Sequence, residues 1–135
     1  MNKFILFTFS ILLTFSLSIA QNWNQLGNDI DGEAAGDYSG VSVSFSSDGN
    51  TVAIGAYLND GNGTDAGHVR IYAYNGSSWN QLGNDIDGDA ADDASGYSVS
   101  LGSDGNTLAI GSNSGVWNVI GYVRVYSWNG SSWSQ

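Results

Sequence analysis

One histidine, thirteen carboxylates and no cysteine set what chemistry this 135-residue chain can attempt. Without a thiol it has no cysteine nucleophile, no thiolate zinc site and no disulfide framework. A Ser-His-Asp relay would have to run through His68, and nothing in the sequence places a nucleophile elbow beside it. No catalytic residue is assigned and no enzymatic activity is expected. Oxygen-rich segments are the better candidates for ligand contact. Asp60, Asn62 and Asp65 present hard oxygens from one short stretch, and Asp85, Asp87, Asp89, Asp92 and Asp93 form a second acidic run. The plainer reading of both is solvated turn carboxylates. Val116 and Trp117, followed by Val119 and Ile120, make an apolar patch of the kind that anchors a protein or a sugar face. The alternative is that Trp117 folds back to fill a local gap.

The charge balance narrows the partners. Three basic against 13 acidic side chains give a net charge of -10 and an isoelectric point near 4.1. Nucleic acid is excluded as a partner, because phosphate binding needs clustered Lys and Arg. With 41% hydrophobic and 13% aromatic residues the chain is too apolar for a disordered acidic tail. Residues 1–20 stand apart: Lys3 follows the start, residues 4–19 are apolar except for Ser and Thr, and Ser18 and Ala20 are small residues at the -3 and -1 positions of a cleavage site. This reads as a secretory signal peptide. The run is short for a membrane span and ends in polar Gln21 and Asn22, so no membrane insertion is expected once it is removed, and a secreted or cell-surface location is.

The elements that hold these residues follow from an internal repeat, which has to be found before strands are assigned. WNQLGNDIDG at residues 23–32 recurs letter for letter at residues 79–88, an offset of 56. At the same offset SGVSVSFSSDGNTVAIGA (39–56) faces SGYSVSLGSDGNTLAIGS (95–112). GHVRIYAYNGSSW (67–79) then matches GYVRVYSWNGSSW (121–133) at an offset of 54. The lost residues fall in one segment, 57–66 in the first copy, where the copies also stop resembling each other. Scaffold and variable loop are thereby separated. His68 becomes Tyr122 in the second copy, whereas Arg70 recurs as Arg124, expected to pair with acids or stack on Tyr.

Each copy predicts four short strands. Val41, Val43 and Phe45 alternate with Ser42, Ser44 and Ser46, the period-two signature of a strand with one bulky and one small face. Ser47-Asp48-Gly49-Asn50 turns into a second strand at 51–56, a third runs over 68–74, Asn75-Gly76 turns it back, and a fourth covers 79–86. Trp23, Trp79 and Trp133 begin fourth strands at equivalent positions, where packing between units explains them. Four antiparallel strands in about 55 residues suit a β-propeller blade. A β-sandwich of similar length is the rival, but it would give near-identical copies unlike environments. The expected fold is therefore all-β, two four-stranded antiparallel propeller blades, divided into a leader (1–20), a closing strand plus first repeat (21–78) and a second repeat ending inside its last strand (79–135). Two blades with uncovered outer faces should be marginal alone, which makes further blades of the same chain an expected partner.

The Ser-Gly-x-Ser-Val-Ser strand, the Ala-Ile-Gly-Ala element at 53–56 and Gly-x-Val-Arg-x-Tyr together resemble the FG-GAP repeat of integrin α-chain propellers, most closely secreted bacterial versions carrying WxQLGxDIxGE. Kelch-like and galactose-oxidase-like propellers are neighbouring families. The Gly-Ala-Pro element appears as Ile54-Gly55-Ala56 without its proline, and Ser39-Gly40 stands in for Phe-Gly. The resemblance implies a closed ring, commonly of seven blades, and a calcium loop, D-x-[DN]-x-D-G-x-x-D, between first and second strands. Here that place holds Ser47-Asp48-Gly49-Asn50 and Ser103-Asp104-Gly105-Asn106, one carboxylate each, too few for calcium. No metal or cofactor is assigned, and calcium stays open for the full-length protein. The implied function is a non-enzymatic adhesion or binding module that contacts protein or glycan through Asp60, Asn62, Asp65, Val116 and Trp117. The alternatives are a purely structural repeat of a large surface protein and a non-catalytic region of a secreted hydrolase. Asn62, Asn75 and Asn129 each open an N-x-[ST] sequon.

Overall fold

The structure, a computed structural model, describes residues 22–113 and 120–135. These residues form two antiparallel sheets and, among them, no helix. The first sheet runs β1 (Ser42–Phe45), β2 (Thr51–Ala56) and β3 (His68–Tyr74), followed by β4 (Trp79–Gln81) and β5 (Ile86–Asp87), both paired with β3. The second runs β6 (Ser95–Leu101), β7 (Thr107–Ser112), β8 (Val123–Trp128) and β9 (Trp133–Ser134) in sequence order. Both have the meander of a propeller blade. The registers repeat as well: Val43 faces Ile54 and Val99 faces Ile110.

The expected continuous fourth strand over 79–86 is instead split into β4 and β5. Gly83 has φ 83°, which lifts the chain off the ladder and turns Leu82 into the interior. There the Leu82 amide still donates to the Ile71 carbonyl at 2.7 Å. A side chain at Gly83 would meet the Trp128 and Trp133 rings at 3.0 and 3.2 Å. The glycine thus serves both the bend and the seat of the next tryptophan.

Side-chain hydrogen bonds fix the turns. The Asp48 carboxylate accepts from the Ser46 hydroxyl at 2.6 Å and from the Asn50 amide at 3.0 Å, and Asp104 accepts from the Asn106 amide at 3.0 Å. The Asn75 and Asn129 side-chain oxygens cap their turns by accepting from the amides two and three residues on. Asx turns of this kind replace ladder bonds where the strand ends.

The core lies between the sheets, as it must when each sheet has only one covered face. Ala53, Val69 and Ile71 of the first sheet pack against Leu101, Leu108 and Ile110 of the second, with Ile86 closing the side. The serine face of β1 looks toward the second sheet, and the bulky face of β6 looks toward the first. Small side chains allow close approach, so hydrogen bonds cross the seam: the Ser42 hydroxyl donates to the Gly96 carbonyl at 2.7 Å and the Leu101 amide donates to the Ser44 hydroxyl at 2.9 Å. At the far end the Ser47 amide and hydroxyl both donate to the Ser103 carbonyl. Trp79 and Trp133 pack as expected, each donating its indole N–H to a backbone carbonyl of the preceding unit, Leu26 and Leu82. Trp23 does not. It is 93% exposed, because residues 22–31 join no sheet.

Candidate functional site

One end of the two sheets, where β1 begins and β2 ends, gathers the variable loop, the acidic connector and three tyrosines. The loop over 57–67 is tied to the connector over 88–95 by the Asn62 side chain, which donates to the Gly88 carbonyl at 2.7 Å, and by amides of Asp92 and Ala94 donating to Thr64 and Asp65 carbonyls. Within the loop the Asp60 carboxylate accepts from the Asp65 amide at 2.8 Å. Of the residues expected to bind ligand, Asn62 therefore ties the loop to the connector, and Asp60 closes the loop on itself. Asp65 is half-buried and lines a cleft of about 200 Å³ with Tyr57, Leu58, Asp92, Ala94 and Tyr97. Val116 and Trp117 lie outside the described residues.

The rings form a row across the seam. Tyr38 stands 5.6 Å from Tyr57, and Tyr57 meets Tyr97 edge to face at 5.3 Å, separations typical of favourable aromatic pairs. Tyr38 is 59% and Tyr97 47% exposed, and Tyr57 and Tyr97 line the same cleft as Asp65 and Asp92. Sequence reasoning missed these rings, yet a signal existed. Tyr38 and Tyr97 correspond to Ala94 and Val41, two places where otherwise matched copies differ, and Tyr57 opens the variable segment opposite Asn113. Among the described residues the four non-glycine residues with positive φ are at this end: Tyr38, Asp65, Asp92 and Ala94 at 55°, 52°, 66° and 51°. Tyr38 and Ala94 are equivalent, as are Gly36 and Asp92, so most of this strain belongs to the connector fold.

A charged network is built on β3. His68, only 3% exposed, places Nδ1 3.7 Å from Asp85 and 4.0 Å from Glu33. The ligand atoms of these three residues come within 4.8 Å of one another, the spacing of a metal site. Arg70 occupies that role. Its Nη2 lies 2.7 Å from Glu33 and its Nε 3.3 Å from Asp85, within ion-pair distance though not aligned as hydrogen bonds. A divalent cation here would face a guanidinium that already balances both carboxylates. The β1–β2 turns do not fit calcium either, since the Asp48 oxygens are taken by Ser46 and Asn50. Those same bonds hold the Asp48 carboxyl below its usual range, the Ser46 hydroxyl first and Asn50 after it.

In the second blade Tyr122 and Asp89 replace His68 and Glu33. Arg124 stacks on the Tyr122 ring at 4.0 Å and pairs with Asp89, as expected from its recurrence. Burial pulls against the Arg124 charge, but Tyr122 and Asp89 outweigh it and hold its pKa above the ordinary value. Asp93 accepts from the amides of Asp89 and Ala90 and from the Tyr122 hydroxyl at 3.1 Å. Burial, reinforced by that hydrogen bond, pushes Tyr122 up to about 12. The expectation of solvated carboxylates is thus corrected for Asp93, which is buried, as is its equivalent Asp37, because each closes its connector by binding backbone or side-chain N–H groups.

Stacked four-stranded meanders joined through a small-residue seam define a repeat protein of the β-propeller class. Within that class the chain carries an FG-GAP repeat: residues 30–72, about a third of its length, match that family model. No curated protein and no solved structure matches the chain.

Proposed function

We propose that the chain is an exported, non-enzymatic binding module of the integrin-like propeller type, whose loop end takes a neutral glycan. Its leader is residues 1–20, it works outside the cell or on its surface, and further blades complete its propeller. The observation that carries this reading is the Tyr38–Tyr57–Tyr97 row, with Asp65 and Asp92 lining the same cleft as Tyr57 and Tyr97, built at positions where the two copies differ. Exposed rings stack on sugar C–H faces, and carboxylates at the rim accept from sugar hydroxyls. A net charge of -10 disfavours anionic polysaccharides and anionic partner surfaces. Loops over a rigid scaffold are where binding usually resides. A protein ligand would use the same rings as anchors.

A purely structural role is the second reading, favoured by the inward hydrogen bonds of Asp60 and Asn62. Titration calorimetry of the purified protein against a panel of neutral oligosaccharides separates the two. Binding that is lost in Tyr97→Ala, while the melting temperature holds, supports the glycan reading. Absence of heat with every neutral sugar leaves the structural role standing.

A further inference from the structure

The first sheet carries a cleft of about 430 Å³ on the face turned away from the second sheet. Leu26, Ile30, Val43, Phe45, Val52 and Ile54 line it. One repeat further on, at the offset of 56, these are Leu82, Ile86, Val99, Leu101, Leu108 and Ile110. All six of those equivalents lie in or against the core between the two sheets. The cleft is therefore the same half-interface, empty in the first blade and filled in the second. Ala53, Val69 and Ile71 fill it in the second blade. Their own equivalents, Ala109, Val123 and Val125, sit on the opposite outer face. Val123 and Val125 are 70% and 54% exposed, against 0% and 1% for Val69 and Ile71.

A second feature points the same way. Ile86 and Asp87 pair with Val69 and His68 at the outer edge of β3. Ile30 and Asp31 have the same residue types yet join no sheet. Along β8 only Ser127 and Trp128 pair outward, with β9, so among the described residues the edge at Val123 has no outer strand. Each end of the two-blade unit thus holds what the other end lacks.

We infer that the cleft is the seat of a second copy of this chain, whose Ala109, Val123 and Val125 face enters it while Ile30 and Asp31 of the receiving copy lie along β8 of the entering one. The contact reuses the packing already present between the two blades, side chain for side chain. It depends on blade packing alone and stands or falls separately from glycan binding. The contact is heterologous, so copies continue head to tail until the ring closes. Propellers close at four to eight blades, which bounds the number of copies one ring can hold.

Light scattering on the full chain over a range of concentrations gives the stoichiometry, and two variants test the geometry. Val43→Asp removes the seat and Val125→Asp removes the entering face; both positions are half exposed, so the blades still fold, as circular dichroism will verify. Each variant alone should lose association at least 100-fold. Mixed in equal amounts they should form a complex of two copies and nothing larger, since one intact seat meets one intact face. Apolar association through residues 1–20 would survive both substitutions. Register is read independently, because the chain has no cysteine. Ile30→Cys and Val123→Cys, equivalent to the directly paired Ile86 and Val69, should give a disulfide-linked heterodimer when mixed and oxidised. A wild-type chain that stays monomeric at every concentration, or a variant mixture that does not associate, overturns the inference and leaves the cleft to further blades of a longer chain.

Discussion

Gly55 and Gly111 occupy the same place in the two repeats, yet they should respond oppositely to alanine. A Cβ on Gly55 would lie 2.9 Å from the Gly96 carbonyl carbon and closer still to its oxygen, and would also strike the Ser42 hydroxyl. The Gly96 carbonyl belongs to the neighbouring sheet and accepts the Ser42 bond across the seam. It can yield only if the sheets separate. Overpacking of this kind costs about 1–3 kcal/mol, and the lost hydrogen bond adds about 1 kcal/mol. The total is about 3 kcal/mol. A Cβ on Gly111 meets only the Ser98 hydroxyl at short range, with the next atom at 3.6 Å. A rotation of Ser98 relieves that, so the change should stay within about 0.5 kcal/mol. At about 4 °C per kcal/mol, where the ranges for smaller and larger domains meet, Gly55→Ala should melt about 12 °C lower and Gly111→Ala near wild type. Calorimetry at low protein concentration, where copies are apart, makes the comparison. Equal shifts for the two variants would refute the stacking of β6 on β1 and β2. At assembling concentrations Gly111 acquires the surroundings of Gly55, and its alanine variant should then fail to assemble.

Asp93→Ala strips the partner from two backbone amides and the Tyr122 hydroxyl; denaturant unfolding should show a loss of about 2–3 kcal/mol, with Asp37→Ala, which has fewer donors, losing less. Tyr122 should ionise near pH 12 in an ultraviolet titration, a step that Tyr122→Phe removes and Asp93→Asn lowers. Because its folded pKa lies above the ordinary 10.0, the stability it contributes is fully present below about pH 10 and is lost as pH rises through about 12. Amino-terminal sequencing of exported protein should begin at Gln21; material that keeps Lys3 in a membrane fraction would contradict the leader assignment.

Much of the fold was legible because it depends on near neighbours. Alternation of Val and Ser marked β1 and β6, and Asp-Gly and Asn-Gly marked the turns, since each rests on backbone geometry within a few residues. The break between β4 and β5 was not legible, because Gly83 bends for a distant reason, the approach of Trp128 and Trp133. The burial of Asp93 was hidden for the same cause: a run of acids looks solvated until the connector folds over it.

The site was harder to read because equal letters met unequal surroundings. Val43 and Val99 have the same side chain at the same register, yet one lines an open cleft and the other packs against the core. A repeat sequence therefore specifies an interface, and only the position in the stack decides whether that interface is filled. The informative positions are those where the copies part: Tyr38 against Ala94, Tyr57 against Asn113, Tyr97 against Val41. Tyr38 and Tyr57 lie outside the strands, and Tyr97 sits where the β6–β7 register shifts between Ser95 and Ser98, so no ladder position fixes any of the three. Positions outside the paired ladder are free to depart from their copies, and the three rings have come together at one end of one seam.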